Sequence, residues 1–81
     1  MFDYNICTEA DEKIFNKQCK ALEKNIPGLK KGELLIDVDS SKIQEYFLYK
    51  QRLTVHNSYY IGAVYIKSEF DIDRFFTKTT S

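Results

Sequence analysis

The side chains of this 81-residue chain that could do chemistry are few, and acidic pairs come first among them. Asp37 and Asp39 form one Asp-x-Asp pair, and Asp71 and Asp73 form a second. On a strand, two carboxylates at this spacing share a face and could hold Mg²⁺ for nuclease chemistry. In a chain with 12 acidic residues such pairs also arise by chance, and acids stabilise helix starts. We therefore predict no metal site and keep a minimal metal-dependent nuclease as an alternative.

His56 is the only histidine, and histidine is the usual acid or base near neutral pH. No nucleophile motif accompanies it, and the sequence His56-Asn57-Ser58 is typical of an exposed turn. Cys7 and Cys19 are too few for a disulfide scaffold or a zinc site and are interpreted as reduced thiols. We predict no catalytic residue, no cofactor and no enzyme activity.

Acidic and tyrosine residues supply the predicted partner-binding surface. Glu33, Asp37 and Asp39 fall on one face of a predicted strand, where they could fit a basic cleft. Tyr59 and Tyr65 are predicted to share an exposed sheet face, and tyrosine is favoured at protein interfaces. Six Tyr and six Phe exceed what one small core needs. The sequence therefore favours a surface that binds another protein.

A nucleic-acid interface is the alternative use of the charged and aromatic residues. Lys13, Lys17, Lys20 and Lys24 fall on one side of a predicted helix and could contact phosphates, and the tyrosines could stack bases. The solvated face of an amphipathic helix also explains the lysines, and we prefer that interpretation. Twelve Lys/Arg and 12 Asp/Glu give a net charge of zero, so no global field draws the chain to nucleic acid or to a membrane.

The elements that position these residues follow from apolar periodicity. Residues 2–7 alternate as a half-buried strand. Thr8 is the predicted N-cap of a helix that ends at Pro27-Gly28. The apolar stripe of that helix recurs at spacings of three and four. Its residues are Phe15, Cys19, Leu22 and Ile26.

The second half of the chain is predicted to be mostly β. Residues 33–39 alternate as a strand, residues 42–51 favour a strand over a short helix, and residues 53–66 are rich in β-branched and aromatic residues. The run 59–67 is apolar on both faces, which indicates a strand covered on its second side. Ser68 is predicted to cap a final short helix.

Together these elements predict one α+β domain over residues 1–81. It has an antiparallel sheet of about four strands, with the long helix on one face and a short C-terminal helix. The order is β-α-β-β-β-α, a ferredoxin-like or split β-α-β layer, or β-α-β-α-β-β-α if residues 42–51 are helical.

No segment matches a family motif well enough to carry a function over. We expect a small non-enzymatic protein-binding module of the cytoplasm, with no membrane association, whose partner is another protein or a second copy of the chain. Its use would be that of an inhibitor, an immunity protein, an antitoxin, or a phage or plasmid factor that blocks a host protein.

Overall fold

The computed structural model describes residues 2–75, which form a five-stranded antiparallel sheet with one α-helix. The α+β class predicted from the sequence is therefore correct. The elements are β1 (Phe2–Cys7), α1 (Glu12–Asn25), β2 (Lys30–Ile36), β3 (Lys42–Leu48), β4 (Gln51–Ser58), β5 (Ala63–Ser68) and a 3-10 turn (Asp73–Phe75).

The strand order across the sheet is β1-β5-β4-β3-β2. All four neighbouring pairs are antiparallel, so the two edge strands, β1 and β2, run in the same direction. The connection between them contains α1, and three strands lie between the strands that it joins. The predicted four-stranded ferredoxin-like or split β-α-β layout is corrected accordingly, because the segment predicted as one strand over 53–66 forms two strands, β4 and β5, and β5 lies beside β1.

The helix begins at Asp11 and not at the predicted Thr8. The Asp11 carboxylate accepts hydrogen bonds from the backbone N–H groups of Lys13 and Ile14, which satisfies two donors at the helix start. The backbone N–H of Asp11 itself donates to Asn57 Oδ1 at 3.0 Å. Residues 8–10 therefore form the connection between β1 and α1, and the hydrogen bond from Asp11 to Asn57 attaches the start of the helix to β4.

The core lies between α1 and one face of the sheet. The predicted helix stripe is confirmed, because all four of its residues are buried. Tyr4 and Ile6 of β1 pack against the edge of this core. The sheet contributes six buried apolar side chains, Tyr46, Leu48, Leu53, Val55, Val64 and Ile66. None of the elements within residues 2–75 packs on the opposite side of the sheet, which we call the open face.

The strand bounds differ from the sequence prediction at the end of β2 and at the end of β4, and they agree with it in β3. β2 begins and ends three residues earlier than the predicted 33–39, so Asp37 and Asp39 belong to a loop. Residues 42–51 contain β3, which confirms the preference for a strand. His56, Asn57 and Ser58 are the last residues of β4 and form no turn.

The predicted two-faced strand 59–67 is also wrong in its first half. Residues 59–62 form the turn between β4 and β5, and β5 begins only at Ala63. Gly62 has a φ of +75°, and its N–H donates to the Ser58 carbonyl oxygen at 2.8 Å. The turn therefore includes the adjacent residues Tyr59 and Tyr60, and both tyrosines lie outside the strands of the sheet.

Ser68 ends β5 and does not cap an α-helix. Its hydroxyl donates to the Phe70 carbonyl oxygen at 2.6 Å and lies 3.1 Å from the Phe70 N–H, so it shapes the bend that follows the strand. Phe70 and Ile72 are buried in the core, and the 3-10 turn follows them. The rest of the predicted C-terminal helix lies outside the described residues.

Candidate functional site

The centre of the open face is an aromatic pair from two neighbouring strands. His56 of β4 lies directly opposite Tyr65 of β5, and their rings stack with centroids 4.5 Å apart and planes within 7°. The hydroxyl of Thr54 lies 2.8 Å from His56 Nε2. Alternation places these side chains opposite the core, because the intervening Val55 is fully buried against it. The pair therefore forms a fixed, flat centre on an otherwise uncovered sheet.

Three depressions meet at this aromatic pair. The largest, of about 420 Å³, is lined by His56 and Tyr65 together with residues of the two loops at one end of the sheet. A second, of about 210 Å³, shares His56, and a third, of about 390 Å³, shares Tyr65. We call the largest the end cleft. Its other polar and aromatic lining residues include Asp37, Asp39, Ser41 and Tyr60.

The electrostatic surroundings keep His56 uncharged. Burial, together with the positive charges of Lys67 and Arg52, lowers the pKa of His56 to about 4. Arg52 is paired with the carboxylate of Glu45, and the Arg52 backbone N–H donates to Glu69 Oε1 at 2.7 Å. At neutral pH the imidazole is therefore a neutral aromatic surface.

Two loops lie at the same end of the sheet. Residues 37–41 join β2 to β3, residues 59–62 join β4 to β5, and the pairing of Lys42 with Asn57 places their ends side by side. The Tyr59 N–H donates to Ser41 Oγ at 2.8 Å and so ties one loop to the other. Within the second loop, the Ile61 N–H donates to Ser58 Oγ at 3.1 Å. Both loops are therefore held by hydrogen bonds made inside the chain.

Large apolar side chains project from this end into solvent. Val38 and Tyr60 are 101% and 92% exposed, and Ile36 and Ile61 are 63% and 64% exposed. Tyr59 is 47% exposed beside them. We call these five residues the apolar end. An exposed apolar patch with a polar surround is typical of a protein interaction site.

The structure brings together four of the five predicted partner-binding residues. Asp37, Asp39 and Tyr65 line the end cleft, and Tyr59 lies in the adjacent loop. Glu33 lies on β2 and does not line that cleft. The prediction that Glu33, Asp37 and Asp39 share one face of a strand is therefore wrong, because the two aspartates lie in the loop after β2.

The two aspartates have local structural roles. Asp37 Oδ1 accepts from the Val38 N–H at 2.7 Å, and Asp39 Oδ1 accepts from the Ser41 N–H at 3.0 Å. The hydrogen bonds from Ser41 lower the pKa of the Asp39 carboxyl below its usual value. Within the described part of the chain, no group of three His, Cys, Asp or Glu side chains could hold a metal ion.

The predicted nucleic-acid residues fall on two opposite sides of the molecule. All four helix lysines, Lys13, Lys17, Lys20 and Lys24, are exposed on α1 and point away from the core. Tyr65 lies on the open face, across the sheet from α1. A nucleic acid would therefore contact the lysines or the tyrosine, and a single straight strand would not contact both.

A comparison of the chain with protein-family models, curated proteins and solved structures found no match. In residues 2–75, no helix combines the length and the apolar character that a membrane span requires.

Five residues of the site were missed by the sequence prediction. Ile36 and Val38 were assigned to the predicted strand 33–39. His56 was assigned to an exposed turn, and Tyr60 and Ile61 were assigned to a strand. The available signal was Gly62, because glycine after a strand-like run commonly supplies the left-handed residue of a hairpin loop. Asn57 and Ser58 carried the competing turn signal, although they end β4.

Proposed function

We propose that this chain is a small non-enzymatic protein-binding module that docks through the apolar end and the adjoining end cleft. One observation carries the proposal: the exposed apolar side chains of two separate loops converge at one end of the sheet. Burying such side chains in an interface is favourable by roughly 25 cal/mol per Å² of apolar area. A partner with an apolar patch would remove these side chains from water, and the complex would be stabilised by this free energy.

The fixed conformation of the two loops also supports a binding role. The link from Tyr59 to Ser41 and the link from Ile61 to Ser58 hold the loops in place before any partner arrives. A surface that is already ordered loses less conformational entropy on binding. The two loops therefore form a pre-organised docking surface.

The charges around the apolar end suggest which partners would be selected. Asp37 and Asp39 line the end cleft beside the apolar residues. An acidic rim favours a partner that carries Lys or Arg next to its apolar patch, because like charges facing each other weaken association.

We propose that the chain acts as an inhibitor, an immunity protein, an antitoxin, or a phage or plasmid factor that blocks a host protein. Cys7 and Cys19 are both free thiols, and we propose the cytoplasm, a reducing compartment, as the location.

Affinity capture with paired variants tests this proposal. The bait would be the wild-type chain, Tyr60→Ser with Ile61→Ser, or Lys17→Ser with Lys20→Ser as the control on the opposite side. We expect a host protein that is retained by the wild type and by the control and is lost from the first variant. Its affinity would then be measured with purified components. Equal retention by all three baits would contradict the assignment of the surface.

The aromatic pair favours a second candidate, a single-stranded nucleic-acid module. Lys67 Nζ lies 6.0 Å from the centroid of the Tyr65 ring, so a cation, two rings and an open sheet occur together. Base stacking on such rings combined with phosphate contacts would give binding that weakens steeply as salt increases. Titration of a labelled single-stranded RNA and DNA at two salt concentrations tests it. An absence of binding at the lower salt concentration would end this candidate.

A further inference from the structure

β2 is an edge strand, and its outer side has no neighbour among the described elements. Edge strands expose backbone N–H and C=O groups that can pair with another chain. The first half of β2 contains a bulge between Lys31 and Leu34, where Gln44 Nε2 donates to the carbonyl oxygens of Gly32 and Glu33 at 3.1 and 3.3 Å. From Leu34 to Ile36 the pairing with β3 is regular, and neither a bulge nor a lysine protects the edge.

The unprotected half of β2 exposes apolar side chains on both faces of the sheet. Leu34, opposite Gln44, lies on the helix side and is 47% exposed. Leu35, opposite Ile43, lies on the open face and is 44% exposed. A further strand beside β2 would cover both side chains at once.

The charges along this segment determine the direction in which a second copy would fit. The sequence runs from Lys30 and Lys31, through Gly32, Glu33 and the apolar residues 34–36, to Asp37 and Asp39. Antiparallel pairing of two such segments places the basic end of each beside the acidic end of the other. Parallel pairing would place like charges together, which is unfavourable. A net charge of zero also leaves little overall repulsion between copies.

We propose that two copies of this chain pair through β2, antiparallel and about a two-fold axis at Leu34, to form one continuous sheet. The bulge adds one residue to β2, so in this register Lys30 of each copy, which lies on the open face, comes opposite Asp37 of the other copy. The two helices lie on the same side of the joined sheet, and the two open faces lie side by side on the other. The dimer leaves Tyr59, Tyr60 and Ile61 of the apolar end free to bind a partner, whereas Ile36 lies in the joined edge and Val38 lies beside it.

Charge exchange between the two ends tests the pairing. By sedimentation equilibrium, the wild type is expected to dimerise, and Lys30→Glu with Lys31→Glu, or Asp37→Lys with Asp39→Lys, should each weaken dimerisation by at least about tenfold. An equimolar mixture of these two variants should form a heterodimer, because both ends are then complementary again. Far-UV circular dichroism checks that each variant is folded.

Two controls separate the proposed pairing from other effects. Lys17→Glu with Lys20→Glu makes the same change in net charge on the outer face of α1. This variant should dimerise like the wild type, and its mixture with the Asp37→Lys, Asp39→Lys variant should give no strong heterodimer. Leu34→Lys leaves the loop aspartates in place but sets two like charges at the axis, so it should also weaken dimerisation by at least about tenfold.

A wild type that stays monomeric at every concentration would overturn the proposal. So would a dimer that is unaffected by Leu34→Lys, or two charge variants whose mixture stays monomeric. Heterodimerisation of the α1 control to the same extent would show that net charge, and not the β2 edge, drives the association.

Discussion

The imidazole ring of His56 stacks on the phenol ring of Tyr65 with a centroid separation of 4.5 Å and an interplanar angle of 7°. Both residues line the end cleft, His56 also lines the second depression, and Tyr65 also lines the third. All three depressions on the open face therefore share a wall formed by this stacked pair. The pair supports the end cleft, and the protonation state of the imidazole sets the charge at its base.

We predict that His56 remains neutral down to a pH of about 4, since burial and the charges of Lys67 and Arg52 lower its pKa to about that value. A ¹H–¹³C NMR titration of the imidazole resonance measures this pKa without ambiguity, because the chain has one histidine. Lys67→Met should raise the measured pKa by removing one nearby positive charge. A wild-type midpoint above 6 would contradict the assigned environment.

The same low pKa predicts how the stability of the fold depends on pH. In the unfolded chain His56 titrates near 6.5, so the unfolded state takes up a proton before the folded state does as pH falls. The contribution to stability is therefore complete above that pH and is lost as pH falls through about 4. The difference amounts to at most about 3 kcal/mol. Urea unfolding at a series of pH values should show this loss in the wild type and a smaller one in His56→Gln.

Tyr46 links the sheet to the helix through a buried hydroxyl. Its side chain is fully buried, and its OH donates to Glu23 Oε2 at 2.5 Å. Burial, together with this hydrogen bond, raises the pKa of Tyr46. Tyr46→Phe should lower the free energy of unfolding by about 1 kcal/mol, because the hydrogen bond is lost while the ring stays packed.

Tyr49→Phe is the matched control, since Tyr49 is 91% exposed and its hydroxyl makes no hydrogen bond within the described residues. Urea unfolding should give equal stabilities for this variant and the wild type. Equal stabilities for Tyr46→Phe and the wild type would show that the buried hydroxyl contributes nothing.

Gly32 allows the bulge of β2 to approach β3. A Cβ at this position would lie 2.9 Å from Cε2 of Phe47 and 3.1 Å from Cβ of Glu45. Gly32→Ala should therefore destabilise the fold by about 1 to 3 kcal/mol through overpacking. Gly62→Ala meets no atom within 4 Å, and its cost of about 1 kcal/mol comes from the left-handed backbone alone.

Thermal and urea unfolding of the two glycine variants compare these two causes. A Gly32→Ala protein as stable as the wild type would mean that β2 moves away from β3 without loss.

The helix and the core could be predicted from the sequence because they depend on periodicity. Residues at spacings of three and four define one face of a helix wherever that helix lies. Phe15, Cys19, Leu22 and Ile26 are accordingly buried as predicted. Thr8 was the wrong N-cap because Asp11 has a tertiary partner, Asn57, that no local pattern reveals.

The functional surface could not be predicted because it depends on where hairpins turn. Alternation continued through Asp37 and Asp39, although β2 ends at Ile36 and the Asp37 side chain accepts a hydrogen bond from the Val38 N–H in the loop. Tyr59 and Tyr60 have strand propensity, but Gly62 and the Ser58 hydroxyl fix them in a turn. Tyr65 was assigned to an exposed sheet face and lies on the open face, where its neighbour His56 became visible only through the strand register.

The binding surface is tested most directly by site-specific photo-crosslinking in cells of the native host. A photoreactive phenylalanine replaces Tyr60 in one protein and Lys20, on the outer face of α1, in a matched protein. We predict that position 60 captures one protein that position 20 does not, and that Ile36→Ser with Ile61→Ser abolishes the capture. Equal capture from both positions, or capture from position 20 alone, would contradict docking through the apolar end.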